Sequence, residues 1–276
     1  MRSDRFALCI ATIALSVLLD RTPAAVQAPA AADRPAVVGL DHIPIAVGDL
    51  GAAAERYRAL GFSLKPGRPH PNGIRNHHAK FPDGTELELI TAPEARDALT
   101  TTYRRHLAAG DGPAFLALFA PDRSRVPRAL DPSLDYLFFG PRNASPTDRP
   151  EHFAHPNTAE SLISVWLSGD DLSAERALFS RVGATITRRE VYVPERMIVD
   201  VARFHEGEAL FLPASRHLVP GRRIVGATLR VRRLDAVRER LAARRIPAPA
   251  AGEAEASLFL SPAVTHGLWI ELREVR

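Results

Sequence analysis

With 276 residues, 46% of them hydrophobic and 25% charged, the chain carries enough apolar material for one large domain or two of ordinary size. That balance excludes a disordered or low-complexity protein. The net charge of +4 comes from intermixed basic and acidic residues, and the densest basic stretch, Arg222-Arg223, Arg230 and Arg232-Arg233, reads as a solvated strand edge, so nucleic acid is not an expected partner.

Arg2 and Arg5 precede an apolar run, Phe6 to Leu19, that is too short to span a bilayer comfortably. Small residues follow, ending in Pro29-Ala30-Ala31-Ala32 before Asp33. A charged start, an apolar middle and a small-residue end predict a signal peptide over residues 1–32, with export to a bacterial periplasm or the medium. No stable membrane insertion is expected after cleavage. The single cysteine, Cys9, lies in this segment, so the exported part needs no disulfide and offers no thiolate.

The ordered part is expected from about Ala36. Val37 to Val47 reads as a strand, with Ile43, Ile45 and Val47 alternating on one face. Asp49 caps a helix from Leu50 to Leu60, which Gly61 ends. Strands follow near Phe62–Lys65, Asn76–Phe81 and Thr85–Thr91, the last two joined by the turn Pro82-Asp83-Gly84. The order is β-α-β-β-β, and it recurs. Pro113 to Gly140 is a weaker copy, with a strand at Phe115–Phe119, a helix at Pro121–Leu130 and a strand at Tyr136–Phe139. Pro141 to Ala159 reads as a long loop. A third copy starts with the strand Leu162–Leu167 and the helix Ser173–Val182, and a fourth with Ile224–Val231 and Leu234–Arg244. The predicted class is therefore α+β, with tandem βαβββ units pairing into two half-barrel domains, residues 33–158 and 159–276.

Alternation also sorts the polar side chains. If Ile43, Ile45, Leu87 and Leu89 face the helix, then His42, Glu86 and Glu88 face the opposite, concave side. Acidic and imidazole groups converging there need a partner, because an unpaired buried charge is costly.

The segment from Gly39 to Leu50, Gly-Leu-Asp-His-Ile-Pro-Ile-Ala-Val-Gly-Asp-Leu, resembles the opening strand and helix cap of the vicinal oxygen chelate superfamily. His70-Pro71, Gly73, Asn76, the ending Glu86-Leu87-Glu88-Leu89-Ile90 and His155-Pro156-Asn157 are similar to its glyoxalase-like branch. The resemblance implies a glyoxalase/bleomycin-resistance-like half-barrel with a divalent metal (Zn, Mn, Ni or Fe) in the concavity. Residue by residue, it assigns His42 and Glu88 as metal ligands. Glu86 and His70 become candidate catalytic groups, and Asn76, Arg75 and His155 candidate substrate contacts. The partner is then a small-molecule ligand, with a homodimer compatible with the fold. Two functions follow: metal-dependent lyase, isomerase or dioxygenase-like chemistry on a small oxygenated molecule, or binding of such a molecule without chemistry. In the second half Ser164, Gly226 and Phe211 stand at the expected ligand positions and only Glu271 is acidic, so that half is expected to be a structural copy.

Overall fold

The computed structural model describes residues 35–218, 222–247 and 256–275; the expected signal peptide lies outside these residues. The first sheet holds β1 (Gly39–Ala46), β2 (Lys65–Pro66), β3 (Arg75–Lys80), β4 (Glu86–Thr91), β5 (Gly112–Pro113), β6 (Leu116–Phe119) and β7 (Leu137–Gly140). Their order is β2-β3-β4-β1-β6-β7, with β5 paired to β1. The second sheet holds β8 (Ala159–Gly169), β9 (Thr185–Tyr192), β10 (Arg196–Arg203), β11 (Glu208–Pro213), β12 (Ile224–Val231), β13 (Ser257–Leu260) and β14 (Trp269–Glu274), in the order β13-β14-β12-β8-β11-β10-β9. Each is a curved half-barrel that does not close.

The unit topology is plainest at the N-terminal end. Asp49 accepts a hydrogen bond from the Ala52 amide and starts α1 (Leu50–Ala59), and Gly61, at φ 95°, turns the chain out of it. The helix lays Ala53 and Tyr57 on Ile43, Ile45, Leu87 and Leu89, all within a buried cluster that continues beneath the second sheet. With one strand face committed to this core, the alternate side chains of β1 and β4 are left for the concavity. The second sheet repeats the pattern with α4 (Ser173–Arg181) between β8 and β9, and α5 (Leu234–Ala243) between β12 and β13.

The expected second unit is reduced. No helix forms over Pro121–Leu130; the segment makes one short 3-10 turn, Arg123–Arg125, and a second, Pro132–Leu134, follows it. Pro127 lacks an amide donor, and the carboxylates of Asp122 and Asp131 accept from the Ser124 and Ser133 amides, which closes tight turns instead of a helix. The helix of this region, α2 (Ala98–Leu107), lies earlier in the chain and is fixed by a capping box between Asp97 and Thr100. The expected loop from Pro141 to Ala159 contains the one-turn helix α3 (Pro150–Phe153).

The second concavity is filled. Trp166 is buried there, its Nε1 donating to Thr228 Oγ1 at 3.1 Å. Thr228 and Ser257 donate to Glu271, which Arg273 grips with two further bonds. A Cβ at Gly226 would sit 2.1 Å from the Trp166 ring, so the indole depends on glycine at that position. Strand pairing also places Leu210, opposite Trp166, where Glu88 stands opposite Pro44 in the first sheet; Phe211 is one residue out of phase.

Candidate functional site

β1 and β4 run parallel, with His42 beside Glu86 and Pro44 beside Glu88. β3 pairs antiparallel with β4 and sets His78 beside Glu88 and Lys80 beside Glu86. The side chains of His42, His78, Lys80, Glu86 and Glu88 line a cavity of about 780 Å³ to which His70, Asn76 and Phe138 also contribute.

At its centre, His42 Nε2 lies 3.7 Å from Glu88 Oε2. His42 Nδ1 lies 3.0 Å from Asp41 Oδ2; a carboxylate only accepts, so Nδ1 carries the proton and Nε2 is left to the cavity. Burial alone would lower the pKa of His42. The Asp41 hydrogen bond and the charges of Glu88, Glu86 and Asp41 outweigh it and bring the pKa up to about 8. Asn76 Nδ2 donates to Glu88 Oε1 at 2.5 Å and fixes that carboxylate.

Glu86 is more deeply held. Its Oε1 meets His78 Nδ1 at 3.1 Å and accepts from Asn143 Nδ2 at 2.9 Å, while Lys80 Nζ stands 4.0 Å from Oε2. Burial raises its pKa, yet the His78 and Asn143 hydrogen bonds and the charges of His78 and His42 hold the carboxyl below its usual value. Above it, the chain from Pro141 to Thr147 forms a strap along the cavity. The strap is pinned by Asp148, which takes Lys65 at 2.5 Å and Lys80 at 2.9 Å; Lys80 also donates to the Asn143 carbonyl.

The structure thus brings together His42, Glu86, Glu88 and Asn76, with His70 on the same cavity wall, its Nε2 buried and unpartnered. Two expected substrate contacts lie elsewhere. Arg75 precedes Asn76 on β3 and so faces the other way; it is exposed and lines a separate cavity of about 260 Å³ with Gly48 and Arg104. His155 is a buried packing residue: Nε2 donates to the Lys80 carbonyl at 2.9 Å and Nδ1 accepts from the Ser63 amide at 3.0 Å. Sequence reasoning missed Asp41, Lys80, Asn143 and Asp148. Asp41 reaches the cavity because the pairing of β1 with β6 shifts register between Leu40 and His42, a bulge that suspends strict alternation.

The metal that the resemblance implies can be tested against these donors. Among the described residues, no group of three or more His, Cys, Asp or Glu side chains is disposed to hold an ion. His42 Nε2 and Glu88 Oε2 converge, but β6 offers Ala117 beside His42, and the Phe138 ring stands edge-on to the imidazole at 5.4 Å. A centre with three protein ligands does not fit this wall.

The family model of a glyoxalase-like domain matches residues 40–245. Among solved structures, the chain is similar to a fusion of a xylose isomerase-like TIM barrel with 4-hydroxyphenylpyruvate dioxygenase, at 12% identity and TM-score 0.61, covering 88% of this chain and 49% of that one. It therefore spans about half the length of that fusion protein. It is also similar to an extradiol ring-cleaving dioxygenase from B. fuscum, at 12% identity and TM-score 0.56, with 89% and 74% covered. A variant 4-hydroxymandelate synthase from Streptomyces coelicolor follows at 13% identity and TM-score 0.58, with 87% and 93% covered. Likeness at such identities shows the fold. No protein of curated function matches the sequence.

Proposed function

Because the chain belongs to the glyoxalase-like domain family of the vicinal oxygen chelate superfamily, we propose that its first concavity binds a small oxygenated molecule and that the His42–Glu88 pair exchanges a proton with it. The approach of His42 Nε2 to Glu88 Oε2, at 3.7 Å on the cavity wall, carries this reading. Asp41 holds the far side of the imidazole, so Nε2 is the atom that gives and takes the proton. Asn76 keeps Glu88 aimed at it. Glu86, expected as a base, acts instead as a fixed negative charge that favours the imidazolium, since His78 and Asn143 already claim it. Proton transfer beside a carbonyl is isomerase- or lyase-type chemistry. The apolar filling of the second concavity leaves it a supporting role.

Calorimetric titration with a panel of small α-hydroxycarbonyl compounds tests the site. Saturable binding that weakens tenfold or more in His42→Gln and Glu88→Gln is the expected result. Binding equal in wild type and both variants, or no binding across the panel, would remove the reading.

A divalent ion seated on His42 and Glu88 alone is a second reading, favoured by Asp41, because metal-bound imidazoles commonly donate their other N–H to a carboxylate. Titrating chelator-treated protein with Zn, Mn, Ni or Fe(II) decides it. Binding no tighter than in His42→Ala and Glu88→Gln ends it. The proposed site of action lies outside the cytoplasm, on the strength of the N-terminal residue pattern. Mass spectrometry should find a mature N-terminus between Val26 and Asp33, and an intact Met1 would refute export with cleavage.

A further inference from the structure

The charges of the cavity wall can be paired off. Lys65 and Lys80 share Asp148, and Lys80 also faces Glu86. His42 faces Glu88, and Arg142 stands 3.6 Å from Asp41. Two cations on the same wall are left over: Arg68 and Arg123 are both exposed, both line this cavity, and neither has an ion-pair partner among the described residues. The cavity rim thus carries two guanidinium groups that no carboxylate of the described residues neutralises.

The same cavity wall carries an exposed aromatic surface. Phe138 is 38% exposed, an unusual position for a large aromatic side chain, and its ring meets the edge of His42. Deeper in, Glu86 is 1% exposed and its Oε2 has no hydrogen-bond partner, an acceptor waiting for a donor. Cationic rim, flat apolar wall and buried acceptor define the complementary molecule.

We infer that the ligand of this cavity is a small organic carboxylate with an apolar, ring-sized body and a hydroxyl group, its carboxylate taken by Arg68 and Arg123. The guanidinium fork matches a carboxylate in two-point contact, and a cavity of about 780 Å³ holds a molecule of that size. The inference rests on the proposed reading that this cavity is the binding site.

The test uses 4-hydroxybenzoate and its uncharged counterpart 4-hydroxybenzamide, titrated by calorimetry into the whole mature chain at pH 7 and low salt. The acid should bind at least tenfold more tightly than the amide. The double variant R68Q/R123Q should bring the acid down to the affinity of the amide and leave the amide unchanged. Both arginines are exposed and unpaired, so the variant should keep the wild-type melting temperature. Acid and amide binding equally, or the double variant holding the acid as well as wild type, would overturn the inference. So would failure of the acid to bind at all. If both compounds bind equally and both are lost in His42→Gln, the cavity stands as the binding site and only the assignment of the anion falls.

Discussion

His42 Nε2 and Glu88 Oε2 face each other at 3.7 Å across two parallel neighbouring strands, β1 and β4. This contact joins an imidazole and a carboxylate that both face the first concavity. Its protonation governs a measurable property of the whole fold.

The raised pKa of His42 makes stability fall on the alkaline side of neutrality. A proton held more tightly by the folded chain stabilises it fully below the unfolded value of 6.5, and that contribution is lost as pH rises through about 8. The shift corresponds to roughly 2 kcal/mol at about 1.4 kcal/mol per pH unit. Urea unfolding of wild type should therefore show a declining free energy from pH 6.5 to about 8, and His42→Gln should show none. A decline of equal slope in the variant would contradict the assignment.

The acid side has a different origin. Burial, with the nearby Arg222 charge, lowers His106 to about 4. Its folded pKa is below the unfolded one, so the unfolded chain binds the extra proton and stability drops as pH falls from 6.5 toward 4. His106 Nε2 lies 3.2 Å from the Gly112 carbonyl, a bond that glutamine can also donate. His106→Gln should flatten the acid limb measured by thermal unfolding at stepped pH; an unchanged limb would place the titration elsewhere.

Gly226 is required by Trp166. A Cβ placed 2.1 Å from the indole forces the ring or the strand to move, and overpacking of this kind costs roughly 1–3 kcal/mol. Gly226→Ala should lower the urea midpoint without changing its slope. If the midpoint holds, the second concavity is looser than its packing indicates.

Asp148 pins the strap over the first concavity. Asp148→Asn leaves Lys80, 3% exposed at its side chain, without its closest carboxylate, a loss of roughly 3 kcal/mol for a buried pair broken from one side. Amides from Asn143 to Thr147 should then exchange with solvent much faster in hydrogen-exchange mass spectrometry. Wild-type protection in the variant would show that the strap is held by other contacts.

Much of this site was legible in the sequence, for a physical reason. Ile43, Ile45, Leu87 and Leu89 alternate cleanly, and a period of two fixes which way His42, Glu86 and Glu88 point. Where the period breaks, the reading fails: the bulge in β1 turns Asp41 toward His42 against strict alternation. The same parity excludes Arg75, which directly precedes the cavity residue Asn76. Lys80, Asn143 and Asp148 meet across long stretches of chain, and local pattern carries no trace of such contacts. His155 shows the opposite error. Its motif suggested a ligand contact, while its ring nitrogens are spent on the Lys80 carbonyl and the Ser63 amide. Pro127 and the Asp-x-Ser turns outweighed the apolar pattern that suggested a helix after Pro121.

Proton exchange at His42 is most directly tested by isotope incorporation. A bound α-hydroxycarbonyl compound from the panel, incubated with the mature protein in deuterated buffer, should gain deuterium at the carbon beside its carbonyl, followed by NMR. His42→Gln should lose that incorporation by a hundredfold or more, within the usual range for a positioned acid–base group. Tight, saturable binding with no deuterium gained above the buffer rate, in wild type and variant alike, would contradict proton transfer and leave a cavity that only binds.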